Sequence, residues 1–149
     1  MSLQEVSDRL EIQDLLTAYS HAIDFRNWDE LDDVFTEDAM IDYTEMGGIR
    51  GNLKEIKDFL SSVMPTFPSY QHMVATSKVT LEGDVAHGKT ICYNPMVMPL
   101  GGDETQVFFC GLWYRDEFVR TPKGWRIKDR YEERSYFHNQ PEGLGAAAQ

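Results

Sequence analysis

Ile12-Gln13-Asp14-Leu15-Leu16-Thr17-Ala18-Tyr19-Ser20-His21-Ala22-Ile23-Asp24 places apolar residues at offsets 0, 3, 4, 7, 10 and 11 from Ile12. That is one stripe on a helix of about 3.6 residues per turn, and such a stripe has to lie against an apolar partner. The partner is legible downstream. After Pro68 the hydrophobic period changes to two, and residues 70–79, 85–98, 106–120 and 125–137 are rich in β-branched and aromatic side chains. Glu82-Gly83-Asp84, Gly101-Gly102-Asp103 and Thr121-Pro122-Lys123-Gly124 supply the turns of an antiparallel meander. Helices followed by such a run predict an α+β fold, with the N-terminal helices packed on a curved antiparallel sheet as a cone-shaped α+β barrel.

Between the two signals the pattern is shorter-ranged. Ser7 is a candidate helix start, although Val6 and Leu10 place the start earlier. Asn27, with Glu30 three residues on, predicts the cap of a second, short helix whose apolar side is Trp28, Leu31, Val34 and Phe35. Residues 39–44 read as a strand, Gly47-Gly48 as a turn, and 52–64 as a third helix that stops at Pro65. Residues 1–137 form one domain on this reading. Residues 138–149, which end Gly-Leu-Gly-Ala-Ala-Ala-Gln, have no periodicity and are expected to be an irregular tail, frayed or bound to a partner.

Composition narrows the function. A chain of 149 residues with 42% hydrophobic residues is sufficient for one core. A net charge of −11 repels nucleic-acid backbones and anionic membranes. No apolar run is long enough to span a bilayer, and the charged N-terminus is unlike a signal peptide, so a cytoplasmic protein is expected. Cys92 and Cys110 offer neither a disulfide framework nor zinc spacing, and no phosphate loop or dinucleotide fingerprint occurs, so neither metal nor cofactor is expected.

A few residues sit oddly for pure structure. Asp24 ends the first helix, where the macrodipole disfavours a carboxylate. As a solvated turn residue it is unremarkable; turned inward it would hold a partner, and His72 at the start of a strand is the natural one. A carboxylate fixes the tautomer of a paired imidazole and leaves the other ring nitrogen free for proton transfer. Tyr19 on the helix stripe and Tyr43 in Ile-Asp-Tyr are core filler or hydrogen-bond donors. Asn94, a polar amide in mid-strand, needs partners if it faces inward. Met96 and Trp113 belong to a set, with Met73, Met98, Phe108, Phe109 and Tyr114, that would line or simply fill the cone. Arg134 is a candidate in conflict with its strand, because Trp125, Ile127 and Tyr131 share the opposite parity and only a bulge would let both sets face inward.

The order of these features resembles a known family. Leu-Thr-Ala-Tyr-Ser-His-Ala-Ile-Asp-Phe-Arg-Asn-Trp-Asp-Glu-Leu and Val-Phe-Thr-Glu-Asp-Ala resemble the opening of SnoaL-like domains of the nuclear-transport-factor-2-like superfamily. Gly-Leu-Trp-Tyr-Arg-Asp-Glu-Phe-Val-Arg-Thr-Pro-Lys-Gly-Trp-Arg-Ile is similar to that family's last hairpin, so the resemblance covers residues 5–137. Within the superfamily the chain most resembles scytalone dehydratase and bile acid 7α-dehydratase, cofactor-free lyases that use an Asp–His pair. The resemblance implies that Asp24 and His72 are that pair and that Tyr19, Tyr43 and Arg134 belong to the site. It also shows departures: Asn94 stands where the bile-acid enzyme has an aspartate, and Met96 near where scytalone dehydratase has a second histidine.

The expectation is therefore a dehydratase-like lyase, or an isomerase, acting on a polycyclic, aromatic or steroid-like molecule. His72 would take a proton next to a carbonyl and return it to a leaving hydroxyl, with Tyr19 or Tyr43 on the enolate oxygen. A polyketide-cyclase-like reaction, a non-catalytic β-subunit of a ring-hydroxylating oxygenase and a plain small-molecule-binding module are the alternatives. A homodimer or homotrimer through an outer sheet face carrying Trp113, Tyr114 or Phe118 is also expected.

Overall fold

The computed structural model describes residues 1–143. Helix α1 (Leu3–Asp24) starts at Ser2, not Ser7, because Ser2 and Glu5 form a reciprocal capping box. Ser2 Oγ accepts the Glu5 backbone N–H at 3.1 Å, and Glu5 accepts that of Ser2 at 2.6 Å. The second predicted helix is a 3-10 segment (Trp28–Asp33), and Asn27 makes no side-chain cap bond to it. Helix α2 (Leu53–Val63) has its own capping box through Asn52 and Glu55.

Seven strands make one curved, mixed sheet that does not close: β1 (Phe35–Asp42), β2 (Arg50–Asn52), β3 (Ser69–Tyr70), β4 (Met73–Glu82), β5 (Val85–Gly101), β6 (Glu104–Thr121) and β7 (Gly124–His138). The order is β2-β1-β7-β6-β5-β3, with β4 also on β5. The meander β4-β5-β6-β7 is antiparallel throughout, while β1 returns parallel to β7. That parallel contact wraps the sheet around α1 and gives the α+β cone. No described helix is long and apolar enough to cross a membrane.

Parity fixes what the cone contains. Among the even-numbered residues of β5 and β6, Thr90, Cys92, Asn94, Met96, Phe108, Cys110, Leu112, Tyr114 and Phe118 are buried. Trp113 is therefore on the outer face, where Lys89 lies 4.9 Å from its ring. Tyr114 and Phe118 face the core, so the outer face carries fewer aromatics than the oligomer expectation assumed. Phe109 likewise faces outward and stacks on Tyr93, and Met73 is 60% exposed.

On β7, Glu117 faces Asp129 but Phe118 faces Ile127, so Lys128 is an extra residue in a bulge. Trp125 and Ile127 face the core before it; Arg130 and Glu132 do so after it, and Tyr131 is turned out of the cone. A second irregularity follows, since Gly111 pairs with Tyr136 and Leu112 with Arg134. His138 still belongs to β7 and Pro141 is buried; residues 144–149 of the expected tail lie outside the described residues.

The bulge places Arg130 at the centre of the fold. Its Nε and Nη2 donate to the two Asp116 oxygens at 2.7 and 2.8 Å, with both side chains fully buried. The guanidinium lies 3.9 Å from the Tyr114 ring centroid and 4.2 Å from that of Tyr19, which ties α1 to the sheet. Removing one member strands a buried charge. Asp116→Ala is expected to cost about 3–5 kcal/mol, whereas the joint Arg130→Met/Asp116→Leu replacement costs much less, as read from urea unfolding midpoints.

Candidate active site

Asp24 is the last residue of α1, and His72 immediately precedes β4. Tyr70 brings the two segments together: its hydroxyl donates to the Ile23 carbonyl at 3.1 Å and accepts from Arg26 Nε at 3.2 Å. Arg26 turns the chain out of the helix with φ of 59° and donates to the Phe67 carbonyl at 3.0 Å. The Asp24 carboxylate then accepts the His72 backbone N–H at 2.9 Å and ring Nδ1–H at 2.7 Å. The helix dipole opposes a carboxylate here by a few tenths of a kcal/mol. Hydrogen bonds to a charged group contribute roughly 1.5–3 kcal/mol each, so these two donors decide its orientation.

With Nδ1–H given to Asp24, Nε2 of His72 carries the lone pair, and Asn94 Nδ2 donates to it from 3.2 Å. Among the described residues, Asn94 Oδ1 is buried without a partner. If the ring takes up a proton on Nε2, a turn of that amide offers Oδ1 as the acceptor. Asn94 can thus serve either protonation state.

Beyond His72 lies a cavity of about 210 Å³. Tyr19, Tyr43, His72, Asn94, Met96 and Glu132 line it, among apolar walls that include Phe59, Met64, Phe67 and Phe108. A groove of about 660 Å³ runs between α1 and β4 and touches His72, but neither tyrosine, Asn94 nor Glu132 reaches it. The smaller space holds the convergent polar groups and is the candidate site.

The two tyrosine hydroxyls are 2.6 Å apart. One donates to the other, which leaves one O–H to donate to a ligand. Burial pushes both well above the ordinary phenol range, so they act as neutral donors. Gly48 makes the presentation of Tyr43 possible, since a Cβ there would come within 2.7 Å of the Tyr43 Cβ.

Glu132 was not anticipated from the sequence. It is 9% exposed, and burial raises its pKa from 4.5 to about 8, with Arg130 pulling it back and Asp116 and Asp42 pushing it further up. Among the described residues no group of three His, Cys, Asp or Glu side chains is placed to hold a metal ion.

Comparison with known proteins agrees with this architecture. The SnoaL-like domain matches residues 4–131. The chain belongs to the SnoaL-like domain family. Mycobacterium tuberculosis Rv2910c is 54% identical over 136 residues, 91% of each chain. A Novosphingobium aromaticivorans protein provisionally assigned as a scytalone dehydratase superposes with a TM-score of 0.81 at 15% identity, over 97% of this chain and 95% of that one. The hexachlorocyclohexane dehydrochlorinase LinA-type3 of Novosphingobium barchaimii does so with a TM-score of 0.81 at 18% identity, over 94% of each. These two likenesses show that the chain shares its fold with both proteins.

The SnoaL-like domain brings Tyr19, Tyr43, His72, Asn94 and Met96 around one cavity, with Asp24 behind His72. Two expected residues fall elsewhere. Trp113 is on the outer face because its parity is opposite to that of Leu112 and Tyr114. Arg134 pairs with inward-facing Leu112, yet it is exposed and its guanidinium lies 5.5 Å from the Phe137 ring, which itself lines the cavity. Gln140, from the expected tail, also lines the cavity.

The raised Glu132 makes stability depend on pH. The unfolded chain releases this proton near 4.5, while the folded chain holds it to about 8. Its contribution is complete below the lower value, drains away as pH rises between the two, and is lost above the higher. Glu132→Gln removes this dependence. The variant is expected to gain on the wild type between pH 5 and 8, by about 3 kcal/mol, in urea titrations at each pH.

Proposed function

We propose that this SnoaL-like domain is a cofactor-independent lyase that eliminates a leaving group from a small ring-containing substrate, with His72 as base and Asp24 as its positioning partner. The observation that carries the reading is the 2.7 Å contact of His72 Nδ1 with Asp24, which leaves Nε2 free beside a cavity that His72 lines. Relatives of the same fold that are named as dehydrochlorinases are consistent with elimination chemistry.

The chemistry follows from the donors. His72 Nε2 takes a proton from the carbon next to a carbonyl, and Asp24 supports the imidazolium that forms. The free O–H of the Tyr19–Tyr43 pair meets the carbonyl oxygen as charge accumulates on it. A positioned base contributes about 10²–10⁴-fold, and one oxyanion donor about 10²–10³-fold. Size limits the substrate. Pockets for drug-sized ligands span roughly 300–1,000 Å³, so a cavity of about 210 Å³ suits one or two fused rings better than a four-ring steroid.

β-Hydroxy-α-tetralone is a direct probe, because loss of water gives fluorescent α-naphthol. His72→Ala is expected to lower kcat by about 10²–10⁴-fold, and Asp24→Asn by somewhat less, since the amide keeps a neighbour for the ring without supporting its charge. Affinity for α-tetralone, which lacks the leaving group, should change little because the apolar walls dominate binding. Unchanged kcat in correctly folded His72→Ala would exclude the base assignment, and a lower Tm with unchanged turnover would show His72 to be core filler.

A further inference from the structure

The cavity holds a second ionisable side chain that the His72 reading leaves unused. Glu132 is buried, lines the same cavity as His72, Asn94, Tyr19 and Tyr43, and makes no hydrogen bond or ion pair among the described residues. A buried carboxyl without partners is costly if ionised and much cheaper if protonated. The cation beside it opposes this only in part: Arg130 on the same strand lowers the Glu132 pKa, but its hydrogen bonds go to both oxygens of Asp116 and burial outweighs it.

We propose that Glu132 is the acid of this site, a neutral carboxyl that gives its proton to the oxygen leaving the substrate while His72 takes the proton from carbon. The proposal rests on the lyase reading for its base, and it narrows the substrate class. A halide departs without a proton, whereas hydroxide is a poor leaving group until it is protonated. A donor at this position therefore suits a hydroxyl-bearing ring compound, and the reaction is a dehydration.

The step balances. The C–H bond breaks toward His72 Nε2 and its electron pair becomes the new carbon–carbon double bond. The C–O bond breaks toward oxygen, which takes the Glu132 proton and leaves as water. The site is then an imidazolium and a carboxylate, and passage of one proton from His72 to Glu132 through solvent restores both.

The groups that face Glu132 favour its neutral form. From α1 and the segment after β1 come the Tyr19 and Tyr43 hydroxyls, both kept protonated by burial. From β5 and β6 come the Cys92 and Cys110 thiols, each pushed up to about 12. Asp116 on β6 and Asp42 on β1 add negative charge that disfavours another carboxylate, and Arg130 alone opposes them. His72 faces the same space with its lone-pair nitrogen. Burial holds the Glu132 proton up to a pH of about 8.

Infrared difference spectra of the wild type against Glu132→Gln, recorded without any ligand from pH 6 to 10, test the protonation. A carboxylic-acid C=O band that is present at pH 7, absent from the variant, and fading near pH 8 is expected; absence of that band in the wild type overturns the proposal. Kinetics with β-hydroxy-α-tetralone test the role. The wild-type rate should fall as pH rises through about 8, as the acid is lost. Glu132→Gln should lose about 10²-fold or more in kcat together with that falling limb, while keeping its α-tetralone affinity. If Glu132→Gln keeps full kcat and the limb while His72→Ala is inactive, the acid assignment fails and the base assignment stands. If His72→Ala stays active while Glu132→Gln loses its rate, the base assignment is the one that fails.

Discussion

A guanidinium taken fully out of water costs several kcal/mol unless it is paired and packed. Arg130 is paired at both Asp116 oxygens and packed between the Tyr19 and Tyr114 rings. The cluster joins three parts of the fold: α1 through Tyr19, β6 through Asp116 and Tyr114, and β7 through Arg130 itself. Phe35 at the start of β1 adds a fourth contact, 5.8 Å from the guanidinium to its ring. The cluster therefore sets the distance between the helix and the sheet, and with it the depth of the cavity beyond. It also sets register. Arg130 can face inward only because Lys128 is bulged out of the ladder, and the same bulge turns Glu132 toward the cavity.

The other end of α1 is held differently. Its C-terminal turn is anchored by Tyr70 on β3 and by Arg26, which reaches the Phe67 carbonyl. Asp24 is thereby fixed against the start of β4, where it accepts both a backbone and a ring N–H from His72. One helix thus supplies Tyr19 to the cavity and Asp24 to the imidazole. Sites built on rigid elements keep their geometry better than sites on loops, and both His72 contacts depend on a helix end that two long-range hydrogen bonds keep in place.

What the sequence shows is what local periodicity encodes. The stripe from Ile12 to Ile23 gives α1, Pro65 stops α2 close to where it ends, and the period of two outlines the four long strands. Asp24 stands out because a carboxylate at a helix C-terminus is locally unfavourable, and such conflicts gather at sites. The rest depends on non-local contacts. Parallel pairing of β1 with β7 joins segments some ninety residues apart, and nothing in Phe35–Asp42 announces it. Strand parity alone does not say which of Trp113 and Tyr114 faces inward, since both suit either face. On β7, extrapolating parity from Trp125 and Ile127 sends Glu132 to solvent. Lys128-Asp129, two consecutive exposed charges on a strand otherwise bound to the core, is the faint trace of the bulge that reverses it.

The reversal matters for charge. On the proposed mechanism, proton removal from carbon creates an imidazolium beside Asp24 and an enolate beside the two tyrosines. The first is matched by a carboxylate already in place, the second by a hydroxyl hydrogen. Two like charges about 6 Å apart repel by about 3 kcal/mol at an effective dielectric of about 20, so an ionised Glu132 sharing this cavity would oppose the enolate. A neutral Glu132 removes that opposition. The burial that makes its charge unfavourable in the resting protein therefore also lets negative charge develop on a substrate nearby. Arg130 lowers the Glu132 pKa through space, but its hydrogen bonds go to Asp116 and burial outweighs it. A guanidinium hydrogen-bonded to Glu132 itself would lower its pKa further, ionise it and remove the carboxyl proton that it holds in the cavity.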